Sequence, residues 1–97
     1  MEGAYINLQI VRSGNVVWIR SSSYSAKKMT KDLEYNLFKL STDLPTYSLY
    51  RRVYTASQQG FVLKMSTDGQ VALTPFGADI EIGDAVNFSE VYITTPL

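Results

Sequence analysis

The stretch FVLKMSTDGQVAL, residues 61–73, is the part of the sequence that most clearly indicates the fold. Before the turn, large apolar side chains alternate with smaller or charged ones, which is the pattern of a half-buried β-strand. Asp68-Gly69 tolerates the positive φ that a tight hairpin turn requires, and a short apolar run follows it. The stretch therefore predicts a β-hairpin over residues 60–74.

Outward from this hairpin, the same period of two recurs along most of the chain. Residues 4–12 alternate in this way, and after the turn at Ser13-Gly14-Asn15 a strand over residues 15–20 completes a second predicted hairpin. Where alternation or β-branched and aromatic residues recur, further strands are predicted over residues 49–56, 79–82 and 86–95.

The middle of the chain is less regular. Residues 21–32 are rich in Ser and Lys, and this composition predicts a long polar loop. From Met29 to Leu40 a helical period and a strand period compete. The surrounding strands favour a β-strand from about Glu34 to Leu40, with a short helix as the alternative.

Seven or so short strands with closely spaced turns predict an all-β fold, either a small antiparallel β-barrel or a sandwich. The alternation of strands and helices that is typical of a parallel nucleotide-binding fold does not occur. A length of 97 residues fits one domain. We expect residues 1–97 to form this single domain. We also expect residues 1–3 to be an addition ahead of the natural sequence.

The composition argues against several classes of function. Nine basic and nine acidic side chains give zero net charge, so the chain has no general attraction for nucleic acid or anionic lipid. The absence of Cys and His removes disulfides, the commonest metal ligands and the usual nucleophile–base pairs of hydrolases. No apolar run approaches the roughly 20 residues of a membrane-spanning helix. We therefore expect a binding protein that is not an enzyme and uses no cofactor or metal.

Asp79 and Glu81 are the carboxylates whose spacing best suits catalysis. Two residues apart on a predicted strand, they would point to the same side, and glycoside hydrolysis needs two carboxyl groups across a sugar bond. The same spacing is typical of the solvent-facing side of an amphipathic strand, and we prefer this second interpretation.

Aromatic side chains are the unusual feature of the composition, with seven Tyr, four Phe and one Trp. A Tyr or Trp ring can stack on the apolar face of a sugar, while Arg and Asp hydrogen-bond its hydroxyls or charged groups. On this basis we predict a saccharide site formed by Trp18, Asp43, Tyr47, Tyr50 and Arg51. The alternative is that these rings pack the core and the contacts between subunits.

Alternation within the strand over residues 49–56 limits which of these side chains can meet one ligand. It separates two sets of side chains: Leu49, Arg51 and Val53 on one face, and Tyr50, Arg52 and Tyr54 on the other. If Tyr50 faces outward, Arg52 and Tyr54 join it. Arg51 then points toward the edge of the core or a neighbouring subunit.

Several short motifs follow one another along the chain. They are Arg12-Ser13-Gly14-Asn15-Val16-Val17, Leu44-Pro45, Asp68-Gly69-Gln70-Val71 and Tyr92-Ile93-Thr94. In this order the chain resembles the C-terminal head domains of receptor-binding proteins and tail-fibre tips from phages of Gram-positive bacteria, lactococcal phages in particular. The similarity covers nearly the whole chain.

The resemblance implies a homotrimeric, viral fibre-head-like β domain that recognises host cell-wall saccharide without cutting it. Such a head acts at the tip of a virion tail fibre or baseplate, outside the host cell. Its expected partners are saccharide and further copies of the same chain. The alternative function is a structural β module of a virion or secretion assembly that has no ligand.

Overall fold

Residues 5–94 are described by the structure, a computed structural model of the chain. They form seven strands: β1 (Gln9–Ser13), β2 (Val16–Tyr24), β3 (Tyr35–Lys39), β4 (Leu49–Ala56), β5 (Gln59–Met65), β6 (Gln70–Phe76) and β7 (Ala85–Ile93). Within this range there is no helix, and hence none that could cross a membrane. The prediction of an all-β fold is confirmed, while the prediction for residues 1–3 lies outside the described residues.

The strands form two antiparallel sheets. The first sheet has the strand order β1-β2-β7, and the second has the order β3-β6-β5-β4. Buried side chains from both sheets belong to one core. Of the two predicted alternatives the architecture is therefore the sandwich, since the strands of residues 5–94 form two separate sheets and not a closed barrel.

Phe61 and Phe88 show how the two sheets meet. Phe61 on β5 and Phe88 on β7 are both buried, and their ring centroids lie 6.2 Å apart in an edge-to-face arrangement at 72°. The fully buried side chains around them include Leu8, Val17, Ile19, Leu63, Met65, Val71, Leu73, Val86 and Tyr92. Because burying one large apolar side chain contributes about 1.5–3 kcal/mol, this layer supplies most of the stabilisation.

Both predicted hairpins are present. β1 and β2 are joined by two residues, of which Gly14 adopts a φ of 62°. β5 and β6 turn through Gly69, whose φ is 94°. Glycine adopts positive φ without the steric cost that other residues meet. The strand predicted near residues 34–40 is also confirmed, as β3, against the helical alternative.

The predicted polar loop over residues 21–32 is wrong for its first four residues. These continue β2 and pair with the first four residues of β7. Ser21 is buried there, and its hydroxyl donates to the carbonyl oxygen of Val86 at 2.8 Å. Serine-rich stretches resemble loops because Ser competes for local backbone hydrogen bonds, but here the neighbouring strand accepts the bond.

The strand predicted over residues 79–82 is wrong. Ile80 makes a single bridge with Met29, and the residues after it turn. The turn forms because the Asp84 carboxylate accepts the backbone N–H of Glu81 at 2.8 Å. Side chains of this type bind nearby backbone groups in competition with a strand ladder.

The first and last strands differ from their predicted limits at their outer ends. β1 begins at Gln9, and ahead of it Asn7 forms only an isolated bridge, with its backbone N–H donating to the Ser23 side-chain hydroxyl at 3.2 Å. The predicted start at residue 4 lies outside the described residues. β7 ends at Ile93, and Thr94 makes an isolated bridge with Pro45. The predicted end at residue 95 lies outside the described residues.

Candidate functional site

Trp18 lies on the outer face of the three-stranded sheet. Its neighbours Val17 and Ile19 are fully buried, so Trp18 points away from the core, and it is 40% exposed. The strand register places Val11 on one side of it and Val91 on the other. These side chains form an exposed apolar row across β1, β2 and β7.

A polar row lies beside the apolar one. The register aligns Gln9, Arg20 and Ser89 across the same three strands. The Nε atom of Arg20 donates to Oε1 of Gln9 at 2.6 Å. No carboxylate in the described part of the chain forms an ion pair with Arg20. Its remaining N–H groups are therefore free of any carboxylate from residues 5–94.

The two rows border a cavity of about 210 Å³, which we call the Trp18 cavity. Its lining consists of Gln9, Val11, Trp18, Arg20 and Ser89. A second cavity of about 420 Å³ shares Gln9, Val11 and Arg20 with it and extends over β1. Together the two cavities extend from the Trp18 indole to β1 at the edge of the sheet.

Tyr50 and Arg51 occupy different faces of β4. Tyr50 is 62% exposed on the outer face of the four-stranded sheet, on the opposite side of the sandwich from Trp18. Arg51 points the other way, and its Nε donates to Oε2 of Glu90 on β7 at 3.2 Å. Arg52 and Tyr54 share the face of Tyr50, as the alternation predicts when Tyr50 points outward.

The carboxylate and the backbone carbonyl of Asp43 both accept hydrogen bonds from other residues of the protein. Its Oδ1 accepts from Nη1 of Arg12 at 2.6 Å, and its backbone carbonyl accepts the Tyr92 hydroxyl at 2.7 Å. Tyr47 is exposed in the segment before β4. The structure therefore does not bring the five predicted site residues together. Trp18 and Tyr50 lie on opposite outer faces, Arg51 points toward β7, and Asp43 and Tyr47 lie in the segment before β4. Of the five, Trp18 lines the cavity described above.

The buried hydroxyl of Tyr92 should make the stability of the fold depend on pH. Burial, reinforced by the negative charge of Asp43, raises the pKa of Tyr92 to about 12. An unfolded tyrosine has a pKa of about 10. The neutral hydroxyl therefore stabilises the fold fully below pH 10, and this contribution is lost as the pH rises from about 10 to about 12.

We expect the free energy of unfolding to fall more steeply with pH in this window for the wild-type chain than for the Tyr92→Phe variant. The difference in slope is at most about 1.4 kcal/mol per pH unit. Urea unfolding at several pH values measures it. If the plots of unfolding free energy against pH are parallel for the two proteins above pH 10, the raised pKa of Tyr92 is contradicted. An offset between the two plots at neutral pH reports only the lost hydrogen bond.

Asp79 and Glu81 do lie on one side of the chain, as their spacing indicates, but both face Lys28. The Lys28 Nζ is 3.4 Å from Asp79 and 3.7 Å from Glu81. The backbone N–H of Lys31, with a smaller effect of Lys28, holds the pKa of Asp79 below its usual range. A glycosidase acid needs a raised pKa, which is the opposite direction.

Nowhere in residues 5–94 do three or more acidic side chains cluster as a metal site would require.

Gln9, Arg20 and Ser89 were not among the residues predicted from the sequence. The first two could have been found, because a two-residue turn at Gly14-Asn15 sets the register that brings Gln9 opposite Arg20. Ser89 has no such signal. Its position depends on β7 pairing with β2, which no local pattern indicates.

No known family model, curated protein or solved structure matches this chain. The resemblance to phage head domains therefore remains a prediction.

Proposed function

We propose that this domain is a non-catalytic saccharide-binding module that uses the Trp18 cavity. In line with the resemblance of its motifs, we further propose that it serves as a host-recognition head at the tip of a phage tail fibre or baseplate. The observation that carries the proposal is the exposed indole of Trp18 in a cavity whose other wall holds Arg20, Gln9 and Ser89.

The two rows of the cavity match the two kinds of surface on a sugar. A pyranose ring has an apolar face of C–H groups, which an indole covers well, and an edge of hydroxyls that need directed partners. The row of Trp18 and the two valines suits the face. The amide of Gln9, the guanidinium of Arg20 and the hydroxyl of Ser89 together offer both donors and acceptors to the edge.

A shallow site on a sheet binds a single sugar unit weakly, because most of the ligand stays in water. We propose that the domain overcomes this as a homotrimer, in which several cavities engage one polysaccharide or cell surface. Linked sites can raise the overall affinity by about 10²–10⁴-fold without new contacts.

A ligand-free structural module is the second candidate function. It is favoured by Val16 and Ile93, which pair with each other two positions along the strands and so lie beside the Trp18 row on the same face, with Ile93 39% exposed. Exposed apolar residues that adjoin each other are typical of interaction surfaces between proteins. In this case Trp18 would anchor a subunit contact and would not bind sugar.

The Trp18→Ala variant tests the proposal. If the indole stacks on sugar, we expect its removal to weaken binding by about 5- to 150-fold, by analogy with the roughly 1–3 kcal/mol of aromatic stacking on bases. Binding is measured by calorimetry on purified cell-wall polysaccharides of Gram-positive bacteria, and the mass of each variant by light scattering.

Tyr24→Ala is the matched control, because Tyr24 is an exposed ring on the same strand that does not line the cavity. Unchanged binding by Trp18→Ala, or equal losses in both variants, would contradict the saccharide site. A fall in mass from trimer to monomer for Trp18→Ala, with no polysaccharide bound by wild type, would instead support the structural module.

A further inference from the structure

We infer that the outer face of the four-stranded sheet is a second binding surface, and that it takes an anionic saccharide. We call it the cationic aromatic face, and it consists of Tyr50, Arg52, Tyr54, Lys64 and Phe76. It lies on the opposite side of the sandwich from the Trp18 cavity and does not depend on the function proposed for that cavity.

The strand register builds this face in rows across β4, β5 and β6. Tyr54, Gly60 and Phe76 form one row. Because Gly60 has no side chain, the two rings meet above it with centroids 5.4 Å apart at 77°. A Cβ at Gly60 would collide with the carbonyl oxygen of Val53, so close packing of the strands requires glycine here. The edge-to-face pair holds Tyr54 in place while leaving it 61% exposed.

Arg52 supplies the charge. Its guanidinium carbon lies 5.2 Å from the centroid of the Phe76 ring, a cation–π contact that positions it over the same face. By contrast, Arg12 and Arg51 each contact a carboxylate. Within the described residues Arg52 forms no ion pair. A positioned guanidinium that no carboxylate of the described range contacts is therefore available to a ligand.

Lys64 extends the positive charge along the face. It pairs across the strands with Tyr50, in the row next to that of Arg52. Its Nζ is 3.9 Å from Glu34, a distance at which an exposed ion pair contributes little. The face therefore presents two cations and two exposed tyrosine rings, with one carboxylate at its margin.

This combination favours an anionic saccharide as the occupant. A guanidinium binds the two oxygens of a carboxylate or phosphate in parallel, while the tyrosine rings stack on sugar and their hydroxyls bind its hydroxyls. Single-stranded nucleic acid also stacks on sheet aromatics, but it normally requires a positively charged groove along its backbone. Two cations on a chain of zero net charge do not form such a groove.

The experiment measures binding of polygalacturonate, which carries carboxylates, and of phosphomannan, which carries phosphates. Dextran is the neutral control and an oligothymidylate is the nucleic-acid control. We expect the wild-type chain to bind at least one anionic polysaccharide at low salt, more weakly at high salt, and dextran less well. Arg52→Gln should lower that affinity by about tenfold or more, since charge-assisted hydrogen bonds are lost.

Arg51→Gln is the matched control, because it removes the same charge from the adjacent residue on the opposite face of β4. Its affinity should stay within about twofold of wild type. The loss caused by Arg52→Gln should be the same in the Trp18→Ala background as in the wild-type background, which separates this site from the Trp18 cavity.

Three results would overturn the inference. The first is that neither anionic polysaccharide binds. The second is an equal loss of affinity in Arg51→Gln and Arg52→Gln. The third is that oligothymidylate binds as tightly as polysaccharide and depends on Arg52 to the same extent. The last would identify the face as a nucleic-acid surface.

Discussion

Phe61→Ala is expected to lower the free energy of unfolding by about 3–5 kcal/mol. Phe61 is fully buried on β5 and packs edge-to-face on Phe88 of β7. Since β5 and β7 belong to different sheets, removal of this ring leaves a cavity between the two layers. A domain of this size has a total stability of roughly 5–15 kcal/mol, so the loss is a large share of it.

Urea unfolding followed by circular dichroism measures this effect. Tyr24→Ala is the control, because Tyr24 is 72% exposed, and its truncation should change stability by less than about 0.5 kcal/mol. A double-mutant cycle with Phe88→Ala should give a coupling of about 0.5–1.5 kcal/mol if the rings interact directly. Similar losses for Phe61→Ala and Tyr24→Ala would show that the sheets do not pack through this contact.

Gly69→Ala is expected to cost about 2–5 kcal/mol, for two separate reasons. Gly69 has a φ of 94°, a conformation that costs a residue with a Cβ about 1–2 kcal/mol. The new Cβ would also collide with the Leu40 carbonyl oxygen and lie 2.8 Å from Cδ2 of Leu44. Overpacking of this kind adds about 1–3 kcal/mol. The Leu40 N–H donates to the Gly69 carbonyl at 2.8 Å, so the two segments cannot separate freely.

Comparison with the Gly83→Ala variant separates the steric cost of Gly69→Ala from its conformational cost. Gly83 has nearly the same φ, 91°, but a Cβ there meets no atom of the described residues within 4 Å. We expect it to cost only the conformational part, about 1–2 kcal/mol. The two variants are compared by chemical unfolding under the same conditions. If Gly69→Ala is no more destabilising than Gly83→Ala, the close approach of the Leu40 segment is not present in solution.

The two candidate binding surfaces share one structural property. Each lies on a β-sheet and not on a loop, and its side chains are aligned by strand register. The Trp18 cavity follows the β1–β2–β7 register, and the cationic aromatic face follows that of β4–β5–β6. Sites on regular elements hold their side chains in place before the ligand arrives, which reduces the entropy cost of binding.

Local patterns were sufficient for the two hairpins, for the strands near residues 34–40 and 49–56, and for part of each surface. The hairpin turns at Gly14 and Gly69 could be predicted because positive φ is nearly confined to a few residue types. The common face of Tyr50, Arg52 and Tyr54 followed from the period of two within a single strand. These properties depend on residues that are adjacent in sequence, so the sequence alone specifies them.

Contacts between distant segments could not be predicted in the same way. Ser21 belongs to a strand because β7 lies beside it, and the sequence around it resembles a loop. Asp43, predicted as a sugar ligand, is paired instead with Arg12, 31 residues away. Ser89 and Phe76 reach the two surfaces only through the order of strands in each sheet. That order brings apolar side chains of both sheets into one buried core, a global property that no short window of sequence records.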